Sequence, residues 1–170
     1  MRKIAATLSQ WILLIALALW VGGMMTLILA APVVFDTIKP VELAGEAMSL
    51  VFRRFNGGLV FVCIGLAAAG FLGKWFLDPR RGRARKIEGG LLLAMILCGI
   101  YIGALLGPRM QELRKIRMSD PSDTGAVVAF ERGHRLSERL FSINLLLGFS
   151  LLWMSAREAA GGRTGDADRA

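Results

Sequence analysis

Four stretches of the 170-residue chain contain no Asp, Glu, Lys or Arg: Ile4–Phe35, Asn56–Gly73, Gly89–Pro108 and Leu140–Ala156. They are 32, 18, 20 and 17 residues long, so the 34 charged residues crowd into the other 83. A soluble domain interleaves charged and apolar positions at helical or strand period. Here they are segregated in blocks, the pattern of a chain whose solvent is a bilayer. A helix rises about 1.5 Å per residue and the hydrocarbon layer is about 30 Å thick, so about 20 apolar residues make one crossing. Each block is long enough for one. Unpaired peptide groups are costly in lipid, and the blocks lack the alternation of a barrel strand, which leaves helices. The fold class that follows is all-α: an integral membrane bundle of four transmembrane helices, in one domain over residues 1–160.

The helices are expected over about residues 9–31, 57–77, 87–107 and 128–156. Pro32 should end the first and Pro108 the third, because proline cannot continue the backbone ladder. Lys74, near the end of the second, is expected to lay its stem along lipid and raise its ammonium to the headgroups. Residues 41–55 alternate Val41, Ala44, Met48, Val51, Phe52 and Phe55 with Glu42, Glu46 and Arg53, a near-helical period that predicts an interfacial helix on the outer leaflet. Ser119–Gly125, with Pro121 and two aspartates, reads as a turn able to cap the segment after it. The polar, glycine-rich end, residues 161–170, reads as a disordered cytoplasmic tail. Arg2 and Lys3 precede an apolar run much longer than a signal-peptide core, and Ala30-Ala31-Pro32 is a poor cleavage site, so the first helix reads as an uncleaved signal anchor.

Orientation rests on the short segment Asp78–Lys86, where Arg80, Arg81, Arg83, Arg85 and Lys86 face a single acid. Short basic loops stay cytoplasmic, which predicts a multi-pass protein of a bacterial inner membrane with both termini inside. The same five residues, with Arg132, Arg135 and Arg139, are expected to meet lipid headgroups. The net charge of +8 is explained by basic residues flanking the spans. No zinc finger, helix-turn-helix or aromatic-interleaved basic strip is present, so nucleic acid is excluded as a partner. The lipid bilayer is the expected partner, with a second copy or another membrane protein the remaining alternatives.

Helices in lipid gain nothing by hiding apolar side chains, so their contact depends on small residues. Four-residue steps of such residues occur in three helices: Gly22, Thr26 and Ala30, with Gly23 beside them; Gly65, Ala69 and Gly73; and Gly99, Gly103 and Gly107. All are expected at helix interfaces.

The richest candidate chemistry lies between Phe130 and Asn144. At 100° per residue His134, Ser137, Phe141, Leu145 and Gly148 share one face, with Asn144 at its margin, while Arg132, Arg135 and Arg139 share the opposite one. Polar side chains at such depth either bond across helices or line a proton-linked or metal-linked site, and both readings stay open for His134, the one histidine. Cys63 and Cys98 are too far apart in sequence for a zinc or thioredoxin motif. With Met24, Met25, Met95 and His134 they either line a path for a soft ion or simply fill the core. A single histidine excludes bis-histidine haem, no cofactor is expected, and no nucleophile elbow, metalloprotease or phosphate-loop motif points to an enzyme.

Trp20-Val21-Gly22-Gly23, Ala31-Pro32 followed by Phe35, and Phe130-x-x-x-His134-x-x-Ser137 with Asn144 beyond it resemble a domain-of-unknown-function family of bacterial four-helix membrane proteins. That family is related to the animal membrane protein associated with cisplatin resistance and is distantly similar to the copper-resistance D membrane domain. The likeness runs from about residue 8 to 156. It implies a four-helix membrane protein with a part in tolerance of metals or small toxic solutes, and it singles out Trp20, Gly22, Gly23, Pro32, His134, Ser137 and Asn144. Copper-resistance domains carry more membrane histidines than this chain does.

Two functions follow as expectations. One is a non-enzymatic protein that binds or passes a small solute or soft metal ion, with His134, Ser137 and Asn144 facing Trp20–Gly23 across a narrow cavity. The other is a structural or assembly subunit with no ligand of its own. A membrane redox protein comes third.

Overall fold

The computed structural model describes residues 1–77, 82–119 and 123–167, with nothing stated for the side chains of residue 3 and residues 161–167. Among them there are helices and no strand: α1 (Arg2–Thr37), α2 (Val41–Arg54), α3 (Val60–Leu77), α4 (Arg83–Ile100), α5 (Gly107–Ser119) and α6 (Thr124–Ala167). Two wide π-helical turns, Phe55–Leu59 and Tyr101–Leu106, join α2 to α3 and α4 to α5 without a break. The result is four rods, each long and apolar enough to span a membrane, so the expected all-α, four-span class is borne out.

The rods run further than the apolar blocks. Pro32 lies inside α1 rather than ending it, and Pro108 lies inside α5. Proline's φ suits a helix, and what it costs is one hydrogen bond and a clash with the previous turn, both of which a membrane bundle can absorb. Beyond Pro32 the helix is closed by Ile38 N–H donating to the Val34 carbonyl at 2.9 Å and by Lys39 Nζ donating to the Phe35 carbonyl at 2.8 Å. Pro108 comes one residue after the Tyr101–Leu106 turn, where the Gly107 N–H already reaches five residues back to the Ile102 carbonyl, so the ordinary four-residue ladder is interrupted there in any case.

Residues 41–54 are helical, but they are no separate interfacial helix. Asn56-Gly57-Gly58, a helix-weakening run, is taken up in a wide turn that Asn56 Nδ2 supports by donating to the Phe52 carbonyl at 3.0 Å. Arg114 on α5 then donates to the carbonyls of Gly45 and Glu42, at 2.7 and 3.0 Å, and holds α2 upright against α5. The two wide turns sit side by side, since a Cβ on Gly103 would be 3.3 Å from the Asn56 carbonyl oxygen. Asp123 caps α6, its Oδ1 accepting from Ala126 N–H at 3.0 Å. The backbone of α6 continues through residue 167, so the tail expected to be disordered is helical to that point, and residues 168–170 lie outside the described residues.

Each of the middle two rods has 37 residues and is therefore about 55 Å long, well beyond a hydrocarbon layer of about 30 Å. The excess lies at one end. Residues 41–54, 107–119 and 124–139 carry the charges that interrupt the apolar blocks, and the antiparallel order brings all three to the end opposite the termini. They form a helical stalk. Phe52 meets Phe141 with ring centroids 5.6 Å apart, Arg117 lies over the Phe130 ring at 5.4 Å, and Met110 packs on Gly133.

Within the span the core is made by Leu13, Leu17, Trp20, Met24, Val60, Cys63, Ala67, Met95 and Leu151, all essentially fully buried. The tightest approach is α1 on α3. A Cβ on Gly70 would stand 2.7 Å from Leu13 N and 2.8 Å from the Ser9 carbonyl oxygen, backbone atoms that cannot swing aside.

Candidate functional site

Near the ends of the apolar blocks on the termini side, every rod contributes to one buried polar network. Lys74, in the last turn of α3, donates from Nζ to both carboxylate oxygens of Glu88 on α4, at 2.9 and 2.8 Å. Ser155 Oγ on α6 donates to Glu88 Oε1 at 2.9 Å. Gln10 Nε2 on α1 donates to the Ser155 carbonyl at 2.8 Å. Arg85 closes the circuit: Nη1 donates to the Lys74 carbonyl at 3.0 Å and Nη2 to Glu158 Oε1 at 2.9 Å, while the other oxygen of Glu158 pairs with Lys74. Lys74, Glu88, Arg85 and Ser155 are buried, and Glu158 alone is substantially exposed, at 43% of its side chain.

The local sequence explains the convergence. Arg85 and Glu88 are three apart on α4, and Ser155 and Glu158 three apart on α6, so each pair occupies one helix face. A buried charge is tolerable only when paired and hydrogen-bonded, and here two cations meet two carboxylates with a hydroxyl and a carbonyl filling further positions. Such a network adds little net stability over an apolar replacement, but it fixes which helix faces meet. A cleft of about 310 Å³ opens beside it, bounded by Arg85, Glu88, Arg157 and Glu158. At the far end a shallow hollow of about 400 Å³ lies on the stalk among Arg117, Phe130, Glu131, His134 and Arg135.

The residues expected to face one cavity are separated. Trp20 is buried and its indole fills the space over Gly99, where a Cβ would meet it at 2.7 Å. Asn144 is buried, with no partner for its Oδ1. Ser137 is half-buried on the stalk. His134 stands 61% exposed on the stalk surface, stacked on Phe130 at 6.2 Å and 3.3 Å from Glu138 Oε1. A helix turns by about 100° per residue, and His134 and Asn144, ten apart, are about one-fifth of a turn and 15 Å removed from each other. Nor do the soft-ion candidates assemble. Cys63, Met24 and Met95 fill the core, Met25 points outward, and Cys98 Sγ donates to the Leu140 carbonyl at 3.4 Å. Among the described residues no three His, Cys, Asp or Glu side chains gather as metal ligands would.

Two headgroup assignments change. Arg85 is turned inward to the network, and Lys74 with it, because each finds a carboxylate on a neighbouring helix closer than the headgroups. Arg83, Lys86, Arg132, Arg135 and Arg139 are exposed, and Arg80 and Arg81 lie outside the described residues. The packing glycines also divide. Gly23 lies under Phe55, Gly73 against Ser9, Gly99 under Trp20 and Gly103 on Asn56. Gly107 meets only the Ile102 carbonyl of its own rod. Gly22 and Gly65 meet nothing within 4 Å, and Thr26 and Ala69 are exposed, so those four look outward. The close contacts they were expected to make are made by Gly70, Gly89 against Phe71, and Gly148 against Val21 and Met95.

The network members Gln10, Glu88, Ser155 and Glu158 are not evident from periodicity or motif. One signal was available: Lys74, Glu88 and Glu158 stand within two residues of an apolar block's end, carry opposite charges, and fall at the same membrane level once the helices alternate in direction.

A bundle of four spanning rods, with charges folded inward at one end and carried outward on a helical stalk at the other, is a multi-pass membrane protein. The chain matches the model of the family described as "Domain of unknown function (DUF4149)" over residues 15–119 and belongs to that family. The match covers most of the first three rods and stops short of α6. No curated protein and no solved structure is significantly similar to the chain.

Proposed function

We propose that this chain is a non-enzymatic assembly subunit of a bacterial inner membrane, with both termini cytoplasmic, whose stalk docks a membrane partner. The observation that carries this reading is the tip of the stalk. Val41, Leu43, Ile116, Met118 and Val128 lie there, at the outer ends of α2, α5 and α6, and all are at least 40% exposed. Exposed leucines on the span need no cause, whereas exposed apolar side chains brought to one end of the bundle on three charged helices are surface that a partner can cover. Residues 107–139 hold seven Lys or Arg against five Asp or Glu. The partner that fits is therefore a protein presenting an apolar surface rimmed by carboxylates.

The interior supports the same reading, since the space between the rods is filled by Trp20, Met24, Met95 and Leu151. The tolerance of metals or toxic solutes implied by the resemblance is then exercised through the partner that the stalk recruits, not through a conduit in this bundle.

Gentle-detergent purification followed by mass spectrometry tests the reading. A partner at stoichiometric amount, lost from Leu43→Lys and Met118→Lys variants that still elute as folded protein, is the expected result. A lone wild-type monomer whose deletion abolishes uptake or export of a solute would overturn it in favour of transport.

A further inference from the structure

The hollow on the stalk is walled by groups held in different ways. Arg117, in the last turn of α5, lays its guanidinium over the Phe130 ring of α6 at 5.4 Å, and among the described residues no carboxylate or carbonyl bonds it. The face of a ring attracts the charge but accepts none of the five N–H groups of a guanidinium in its plane, so those donors are open to an incoming acceptor. His134 lies parallel to the same ring, with an interplanar angle of 6° and centroids 6.2 Å apart. Arg135 reaches Glu131 only at 3.7 Å with both side chains more than 60% exposed, a looser pair than the 2.8 Å contact of Lys74 with Glu88. Glu138, which faces His134 at 3.3 Å, is not part of the wall. Arg117 is therefore a cation oriented by an aromatic platform and not yet paired with an anion.

The planar, two-oxygen acceptor that matches a guanidinium fork is a carboxylate. A volume of about 400 Å³ is within the range of ligand-sized clefts, about 300–1,000 Å³, and so admits a side chain together with part of the segment that carries it. The hollow is continuous in sequence with the exposed apolar residues of the stalk tip: Ile116 and Met118 flank Arg117, and Val128 comes two residues before Phe130. Arginine and aromatic side chains at the centre of an apolar surface are the usual anchors of a protein interface. Along α6 His134 and Phe130 precede Leu140, where the charge-free block begins, by about 9 and 15 Å. Taking the start of that block as the hydrocarbon edge, a headgroup layer of about 5–8 Å falls short of the hollow, which favours a protein carboxylate over a lipid phosphate.

The geometry points to a receptor for one acidic side chain: a protruding Asp or Glu of the partner, flanked by apolar residues, enters the hollow and pairs with Arg117, with Arg135 as the second donor and the Phe130–His134 stack as its floor. This inference rests on the docking reading and names the chemistry of the partner's anchor.

The single histidine supplies the reporter. The full chain, made without a histidine tag, labelled with ¹³C-histidine and held in neutral detergent at fixed pH, is titrated with an end-blocked Leu-Glu-Leu peptide and with its Leu-Gln-Leu counterpart, and the His134 imidazole resonance is followed by NMR. The expected result is a saturable shift with the acidic peptide at millimolar concentration and binding of the amide peptide about fivefold weaker, the worth of one exposed ion pair. Arg117→Gln should remove that preference, and Arg53→Gln, an exposed cation of α2 outside the hollow, should leave it within about twofold. No saturable shift, equal shifts from both peptides, or an equal loss from Arg117→Gln and Arg53→Gln overturns the receptor. A shift from phosphatidylglycerol added to the micelles and none from the acidic peptide overturns it in favour of a lipid phosphate. The titration needs no partner, so it fails separately from the docking reading: capture lost from Leu43→Lys and Met118→Lys but no peptide response sinks the receptor alone, and a peptide response without a captured partner sinks the docking reading alone.

Discussion

Lys74 Nζ on α3 lies 2.8 Å from Glu88 Oε2 on α4, and both side chains are 97% buried. The pair joins the two rods on either side of the short basic segment, and through Ser155 and Gln10 it reaches the other two. Removing one member strands the other in a low-dielectric site. Lys74→Met or Glu88→Leu alone should cost about 3–5 kcal/mol, while the double variant should recover most of the loss. Unfolding in detergent with a double-mutant cycle measures both, and additive losses would show that the two residues are not coupled.

Gly70 and Gly65 both lie on α3 but face different ways. Gly70→Ala forces a methyl into the backbone of α1 at Leu13 and Ser9 and should destabilise the bundle by about 1–3 kcal/mol. Gly65→Ala meets open space and should be neutral or slightly stabilising through helix propensity. Melting temperatures of the two variants by fluorescence-detected size exclusion separate them, and the reverse order would contradict the α1–α3 contact.

Asn144 is a buried amide whose Oδ1 has no partner. A leucine of similar size leaves no unsatisfied acceptor, so Asn144→Leu should hold or raise stability, by up to about 1–3 kcal/mol. A clear loss of stability in that variant would mean that the amide binds a water or solute in the folded protein.

His134 is exposed, and its contact with Glu138 is a surface pair worth about 0.5 kcal/mol or less. His134→Ala should therefore leave melting unchanged, and any effect should appear in partner capture, because the residue lies in the hollow on the stalk. Loss of bound copper or zinc from this variant, by elemental analysis, would restore the soft-metal reading.

Orientation can be read with single cysteines in a Cys63→Ala, Cys98→Ala background. Met118→Cys, at the stalk tip, should react with an impermeant maleimide in intact spheroplasts, and Arg83→Cys only after the membrane is opened. The opposite pattern would invert the topology.

How much was legible beforehand varies by residue. The number of apolar helices long enough to cross and the helical class follow from block length and spacing, whereas the face that His134 presents does not: it stands exposed on the stalk beside Arg132, Arg135 and Arg139. The direction in which Lys74 and Arg85 point does not, because a cation at a block's end satisfies the same one-dimensional pattern whether it reaches a headgroup or a carboxylate on the next helix. Pro32 and Pro108 misled for a related reason: proline's effect on an isolated helix is known, but whether a neighbour or a wide turn absorbs it depends on the assembled bundle.

By itself the sequence determined that this chain lives in a bilayer and crosses it four times, because transfer of an apolar block into lipid depends on the block alone. Only the tertiary structure decided how each helix is rotated. With lipid as apolar as the core, rotation is set by where backbones can approach and where buried charges find each other. That is why Gly70 packs and Gly65 does not, why His134 stands exposed, and why Lys74, Arg85, Glu88 and Glu158, scattered along the chain, close into one network.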